Sequence, residues 1–322
     1  MKKFLFLGIA ATAMLASCTN DETVEMNPQN AIGFEMFVDK STRAAEDVTT
    51  ANLTAFEVYG WRGDAQIFNA QAVTASNGVC TYTPLQYWVG GYAYKFEAVA
   101  PKSDEKGVTF TASKGASTIT FVSDSETDLI YAAGSKDLTS TANLTSTPDA
   151  VELTFNHLLS RVKFSFVNGF PANSDVTLTV TDVKITNAGT TAVYTPSATP
   201  PAWAAASATG EVTFASTDVA NVVSGNTAAE TEHKYLIPYD VKDYTLTFTV
   251  TMAQGGVEDT FNHSVNLSTE SLVLLAGYSY DFTATLNADN INPDGDVYPI
   301  VFTAEVTDWE DYEEKTVTVP TE

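Results

Sequence analysis

The feature that most constrains this chain is a period-two alternation that recurs from end to end. Val176, Leu178 and Val180 alternate with Thr177 and Thr179. Tyr244 to Met252 reads Tyr-Thr-Leu-Thr-Phe-Thr-Val-Thr-Met, and Tyr278 to Leu286 repeats the rhythm. Successive side chains of a strand point to opposite faces, so this spacing places one apolar and one polar face on each segment. Val, Thr, Tyr and Phe fill these segments, and Gly, Asn, Asp and Pro bound them. Gln254-Gly255-Gly256 separates the second example from Val257 to Val265, which predicts a hairpin. Long apolar stretches of helical period are absent. The pattern predicts an all-β fold built of β-sandwiches. A polar stretch from Lys136 to Pro148 predicts a domain boundary near residue 150, and Thr195 to Ala208 reads as a surface loop. No fixed-period repeat points to a solenoid or propeller.

The N-terminus carries three consecutive signals. Lys2-Lys3 precede an apolar run from Phe4 to Leu15, followed by Leu15-Ala16-Ser17-Cys18. This reads as a secretory signal of residues 1–17 ending in a lipobox, with Cys18 the lipidated residue. The run is too short to span a bilayer as a helix, and no other run is long enough. Next comes a strand in which Ile32, Phe34, Met36 and Val38 share one face. Thr42-Arg43-Ala44 then offers a basic cleavage point. Burial of the four apolar residues is worth about 6–12 kcal/mol, comparable with the roughly 5–15 kcal/mol stability of a whole domain. Excision of such a strand after folding leaves an apolar groove and unpaired edges that invite another chain. On these residues alone a permanent first strand followed by an ordinary loop containing Arg43 is the better reading, because Arg is common in loops. The expected organisation is a signal at 1–17, a propeptide with the removable strand at 18–43, and β-sandwiches at 44–149 and 150–322.

The formal charge of -24, from 40 acids and 16 bases, argues against nucleic acid as a partner. It suits a surface protein kept from its neighbours by like charge. With Cys18 lipidated, Cys80 has no partner for an intrachain disulfide. His157, near Ser160 and Arg161, is the most tempting catalytic residue, but no G-x-S-x-G elbow accompanies it. His233 and His263 lack metal-ligand spacing. Asn290 to Asp296 places oxygen donors before Gly295, yet Pro293 intrudes and Val301 stands where a calcium loop needs Glu, so a turn is the better reading. Trp61, Tyr82, Tyr87, Trp88, Tyr92 and Tyr94 suggest either sheet packing or a sugar platform, with packing preferred. No cofactor, metal or catalytic residue is expected.

Several blocks, in order, resemble the fimbrillins, the type V pilins of Bacteroidota. They are the lipobox and the strand ending in Ser41-Thr42-Arg43-Ala44, Tyr87-Trp88, Tyr94 to Pro101, and Asp128 to Ala132. Leu153 to Phe164, Tyr235 to Pro238, Ala276 to Tyr280 and Val306 to Trp309 follow. The resemblance implies two transthyretin-like β-sandwiches in tandem and export as a lipoprotein anchored in the outer membrane by acyl (palmitate) chains. It further implies cleavage after Arg43 by an arginine-specific protease, then donor-strand exchange with other fimbrial subunits into surface fimbriae for cell adhesion. In that family the block holding His157 and Arg161 is structural. The chain departs from the stalk pattern after Trp309, because Lys315 to Val319 offers only two apolar positions on one face. The competing reading is an uncut surface lipoprotein that binds glycans.

Overall fold

The alternating segments form strands almost throughout the computed structural model, which describes residues 30–38, 48–76, 79–219, 228–238, 243–268, 273–293, 299–308 and 315–317. The first group is β1 (Phe34–Val38), β2 (Ala55–Arg62), β3 (Ala65–Ser76), β4 (Val79–Thr81), β5 (Ala93–Ala100), β6 (Val108–Thr111), β7 (Thr118–Val122), β8 (Ile130–Asp137) and β9 (Val151–His157). The second begins with β10 (Ser160–Asn168), β11 (Thr177–Thr195), β12 (Ala202–Trp203), β13 (Ala208–Thr213), β14 (Thr217–Val219), β15 (Ala229–Glu230) and β16 (Lys234–Leu236). It ends with β17 (Asp243–Gln254), β18 (Val257–Ser268), β19 (Tyr278–Leu286), β20 (Phe302–Asp308) and β21 (Lys315–Val317). The fold is all-β, as the patterning predicts.

These strands make three sheets. In the first, hydrogen bonding runs β1-β4-β3-β2-β5-β8-β9 and returns to β1, closing a barrel. This closure is not specified by period-two patterning, which fixes faces but not neighbours. The second sheet runs β15-β10-β19-β20-β21, with β16 also on β10. The third runs β18-β17-β11-β7-β6, with β12, β13 and β14 also on β11. The hairpin read at Gln254-Gly255-Gly256 is present: Gln254 pairs with Val257. Gly255 and Gly256 adopt φ of 57° and 84°, the left-handed backbone that a type I′ turn requires.

Two apolar cores divide the chain just after β9, whose Val151, Leu153 and Phe155 belong to the first. One joins Ile32, Phe34, Phe56, Phe68, Phe96, Leu153 and Phe155; the other joins Phe164, Phe166, Val180, Phe248, Phe282 and Phe302. A third cluster bridges them, with Tyr59, Phe121 and Leu129 from one side and Leu159, Tyr194 and Tyr235 from the other. The third sheet also crosses the boundary, because Thr191–Tyr194 of β11 pairs with Ile119–Val122 of β7. The 19-residue β11 serves both halves by way of an irregularity between Thr181 and Lys184, where Asp182 takes a φ of 54°. The stretch read as a surface loop after Thr195 contributes to this junction. Trp203 packs on Tyr194, and its Nε1 donates to the Leu158 carbonyl at 2.7 Å. A single half-buried indole within a polar, Pro-rich segment gave too weak a period to reveal that role.

His263 of β18 is buried and stacks on Phe248 with ring centroids 5.0 Å apart. Burial depresses its pKa below 6.5, partly countered by a hydrogen bond to the Ile291 carbonyl. The unfolded chain therefore takes up this proton more readily than the folded one. Stability from neutral His263 is fully present above about pH 6.5 and is lost as pH falls through the lower folded value. In urea titrations, His263→Phe should flatten the loss of stability between about pH 6.5 and 5 relative to the parent chain. An unchanged pH slope would contradict this assignment.

Candidate functional site

The site is the groove that β1 fills in the first barrel. Ile32, Phe34, Met36 and Val38 are 1%, 4%, 1% and 7% exposed, whereas Phe37 on the opposite face is 47% exposed. The alternation read from sequence thus sets which face enters the core. Along one edge, Phe34–Val38 pairs in parallel with Val151–Phe155 of β9, and the Val151 amide donates to the Gly33 carbonyl at 2.8 Å. On the other edge Glu35 pairs with Val79 of β4. The Ile32 amide donates to the Gln86 carbonyl at 2.8 Å, and the Trp88 amide to the Asn30 carbonyl at 2.9 Å. Thr50 Oγ1 accepts from the Val38 amide at 2.8 Å. Both edges of the strand are therefore held by backbone bonds while its inner face completes the core.

An aromatic cage grips the middle of β1. The Phe34 ring lies 5.5 Å from Phe68, 5.7 Å from Tyr82 and 5.6 Å from Phe96, centroid to centroid, in edge-on or tilted arrangements. Such arrangements favour aromatic pairs beyond the area they bury. Tyr82 also donates its hydroxyl to the Ile32 carbonyl at 2.7 Å, which fixes the strand's register against the cage. Gly60 makes room for the walls: a Cβ there would lie 2.8 Å from Phe96 Cδ1 and 2.9 Å from Phe68 Cδ2. None of Gly60, Phe68 or Phe96 stood out as a site residue in the sequence. The available signal was a glycine between Tyr59 and Trp61 inside an aromatic strand, a position that often marks close packing.

Cys18, Arg43 and Ala44 lie outside the described residues. His157, at the end of β9, is buried and pairs through Nδ1 with Asp128 Oδ2 at 2.7 Å. Asp128 is a partner the sequence did not single out. Arg161 Nε donates to Ser279 Oγ at 3.1 Å, while Ser160 Oγ donates to the Leu275 carbonyl at 2.8 Å. These bonds stitch the turn between β9 and β10 to the segment before β19. His157 and Arg161 therefore lie at the junction, away from the groove.

The aromatic set is divided between the cores and the surface: Tyr82, Trp88 and Tyr94 pack in the first core and Trp61 in the third cluster. Trp61, Trp88 and Tyr94 are buried, and Tyr92 is exposed beneath the Arg62 guanidinium at 5.4 Å. Of the suspected calcium loop, Asp294 to Asp296 lie outside the described residues, and Asn290 spends its amide on the Thr285 carbonyl and the Asn287 amide. Among the described residues no cluster of three or more His, Cys, Asp or Glu could hold a metal. Half-buried Cys80 in β4 is packed against the first core. Burial, with a smaller effect of the Glu35 carboxylate, pushes its thiol up to about 11.

Comparison with known proteins places these features in context. A family model described as fimbrillin-like matches residues 42–309. No curated protein matches the chain. Among solved structures, a candidate cell adhesion protein of Bacteroides uniformis shares 18% identity at a TM-score of 0.50, over 88% of this chain and 99% of that one. The fimbrial anchor protein Mfa2 of Porphyromonas gingivalis shares 15% identity at a TM-score of 0.44, over 87% of this chain and 98% of that one.

The groove makes a direct prediction. Phe34→Ala should destabilise the chain by about 3–5 kcal/mol, and Phe37→Ala by no more than about 0.5 kcal/mol, read as shifts in urea unfolding. Equal effects would mean that the inner face has been misassigned.

Proposed function

As a member of the fimbrillin-like family, a group of surface adhesion and fimbrial proteins, this chain is, we propose, a pilin subunit whose first strand is a removable closure. The observation that carries this reading is the placement of β1: four core side chains and both hydrogen-bonded edges belong to nine residues that end five positions before Arg43. In the proposed sequence of events, the chain is exported with its signal at 1–17, and lipid on Cys18 holds it at the outer membrane. Each buried methylene of an acyl chain contributes about 0.8 kcal/mol, and several chains make such an anchor stable. An arginine-specific protease then cuts between Arg43 and Ala44. The cut turns an intramolecular strand into a separate peptide, so its retention no longer benefits from a covalent tether. Loss of β1 leaves β4 and β9 as open edges around an apolar groove, which a strand from another fimbrial subunit fills.

The further organisation belongs to the same reading: two transthyretin-like β-sandwich units, 44–149 and 150–322, for which the two separate cores speak, although β9 (Val151–His157) packs into the first. Their shared third cluster and the β7–β11 pairing would keep the two units in fixed relation along a fibre. In this scheme His157 and Arg161 have structural roles at that junction. The family is a structural one, and the reading requires no cofactor and no enzymatic step by this chain.

Two outcomes test the proposal. N-terminal sequencing of protein released from the cell surface should begin at Ala44. An Arg43→Ala chain should stay membrane-bound and monomeric by size-exclusion chromatography after detergent extraction. A lipidated, intact N-terminus in every fraction, including assembled fibres, would contradict it.

A further inference from the structure

From the cage around Phe34 we infer the kind of strand that can replace β1: one from a different subunit that carries an aromatic residue at the cage, flanked two residues to either side by apolar residues. This inference rests on the strand-exchange reading above and adds to it a rule for partner choice. Three observations converge on the cage. Phe34 meets three aromatic rings within 5.7 Å, a density of ring contacts that no other inward residue of β1 has among the described residues. The walls hold their own positions, with Phe68 5.3 Å from Tyr82 and 5.9 Å from Phe96, and both rings are seated on the Gly60 backbone, where any Cβ would clash. A small side chain would therefore leave a cavity in place of the ring, which is the costly case for a packed core. The third observation is the Tyr82 hydroxyl on the Ile32 carbonyl. One of the cage walls thus bonds the backbone two residues before the aromatic and ties the register of the strand to the residue that fills the cage.

The chain's own late segments do not meet this rule. Lys315, Thr316, Val317, Thr318 and Val319 contain no aromatic, and Lys315–Val317 is already paired with Ala304–Val306 of β20. In an inserted strand, Tyr312 would share its face with Glu310, Glu314 and Thr316, and Trp309 with Thr307, Asp311 and Glu313. Either register would bury carboxylates in an apolar groove without partners. Ile300, Phe302 and Ala304 have suitable spacing, but all three are buried in the second core. The groove is thereby matched to a strand of another subunit and mismatched to the late segments of a second copy of this chain.

The test uses the full chain cut after Arg43 with an arginine-specific protease, then offered fluorescent peptides. Binding is read by anisotropy, and release of residues up to 43 by mass. A peptide of residues 30–38 should displace the resident strand. Its Phe34→Ala form should bind at least about 100-fold more weakly, and its Phe37→Ala form within about threefold of the parent peptide. A peptide of residues 313–321 should not exchange. A Phe34→Ala peptide that binds as tightly as its parent, or exchange by residues 313–321, would overturn the partner rule while leaving strand exchange intact. Failure of every peptide, the 30–38 sequence included, would overturn strand exchange itself and this inference with it.

Discussion

The structure of the first half depends on one set of contacts, those by which β1 joins β4 to β9. Seven strands close on themselves only because Phe34–Val38 lies between two strands that are otherwise edges. Remove it, and two rows of backbone donors and acceptors lose their partners while three side-chain pockets open. Unpaired edges and exposed apolar grooves are states that folded proteins avoid.

The second half is arranged differently. Its sheets are joined to the first half through β7 and β11 and through the cluster around Tyr59, Phe121, Leu159 and Tyr235. Polar groups reinforce that junction. The Ser123 amide donates to the Thr190 carbonyl at 2.8 Å and the Tyr235 amide to the Ser125 carbonyl at 2.9 Å, and the Asp128–His157 pair is buried at the end of β9. Breaking a buried pair of this kind leaves an uncompensated group. The junction is thus specified by directional bonds as well as by area, and it is separate from the groove of β1.

Much of this was legible in the sequence, and the reasons are physical. Period-two patterning disclosed β17 and β19 because one face of each is more buried than the other, and the Gly-Gly turn disclosed β18 as the return strand of the hairpin. The same patterning identified the inward face of β1, residue by residue. What patterning could not supply was adjacency. Nothing local shows that β1 would run parallel to β9, far later in the chain, or that Phe68, Tyr82 and Phe96 would converge on Phe34. Asp128 as the partner of His157 was hidden for the same reason. Trp203 was missed because its segment has the composition of a loop and only one side chain that packs.

The removable closure is tested most directly at Cys80. This half-buried thiol sits in β4, one residue beyond the position that pairs with Glu35 of β1. In a Cys18→Ser chain it is the sole thiol, so its labelling by an aromatic disulfide reagent reports on the opening of β1. If β1 is a removable closure, labelling at neutral pH is slow in the intact chain. It rises sharply once the strand freed by cleavage at Arg43 has been removed under mild denaturant and the chain returned to buffer, and slows again when a peptide of residues 30–38 is added in excess. Equal labelling rates with and without the cut strand, its removal verified by mass, would contradict that role.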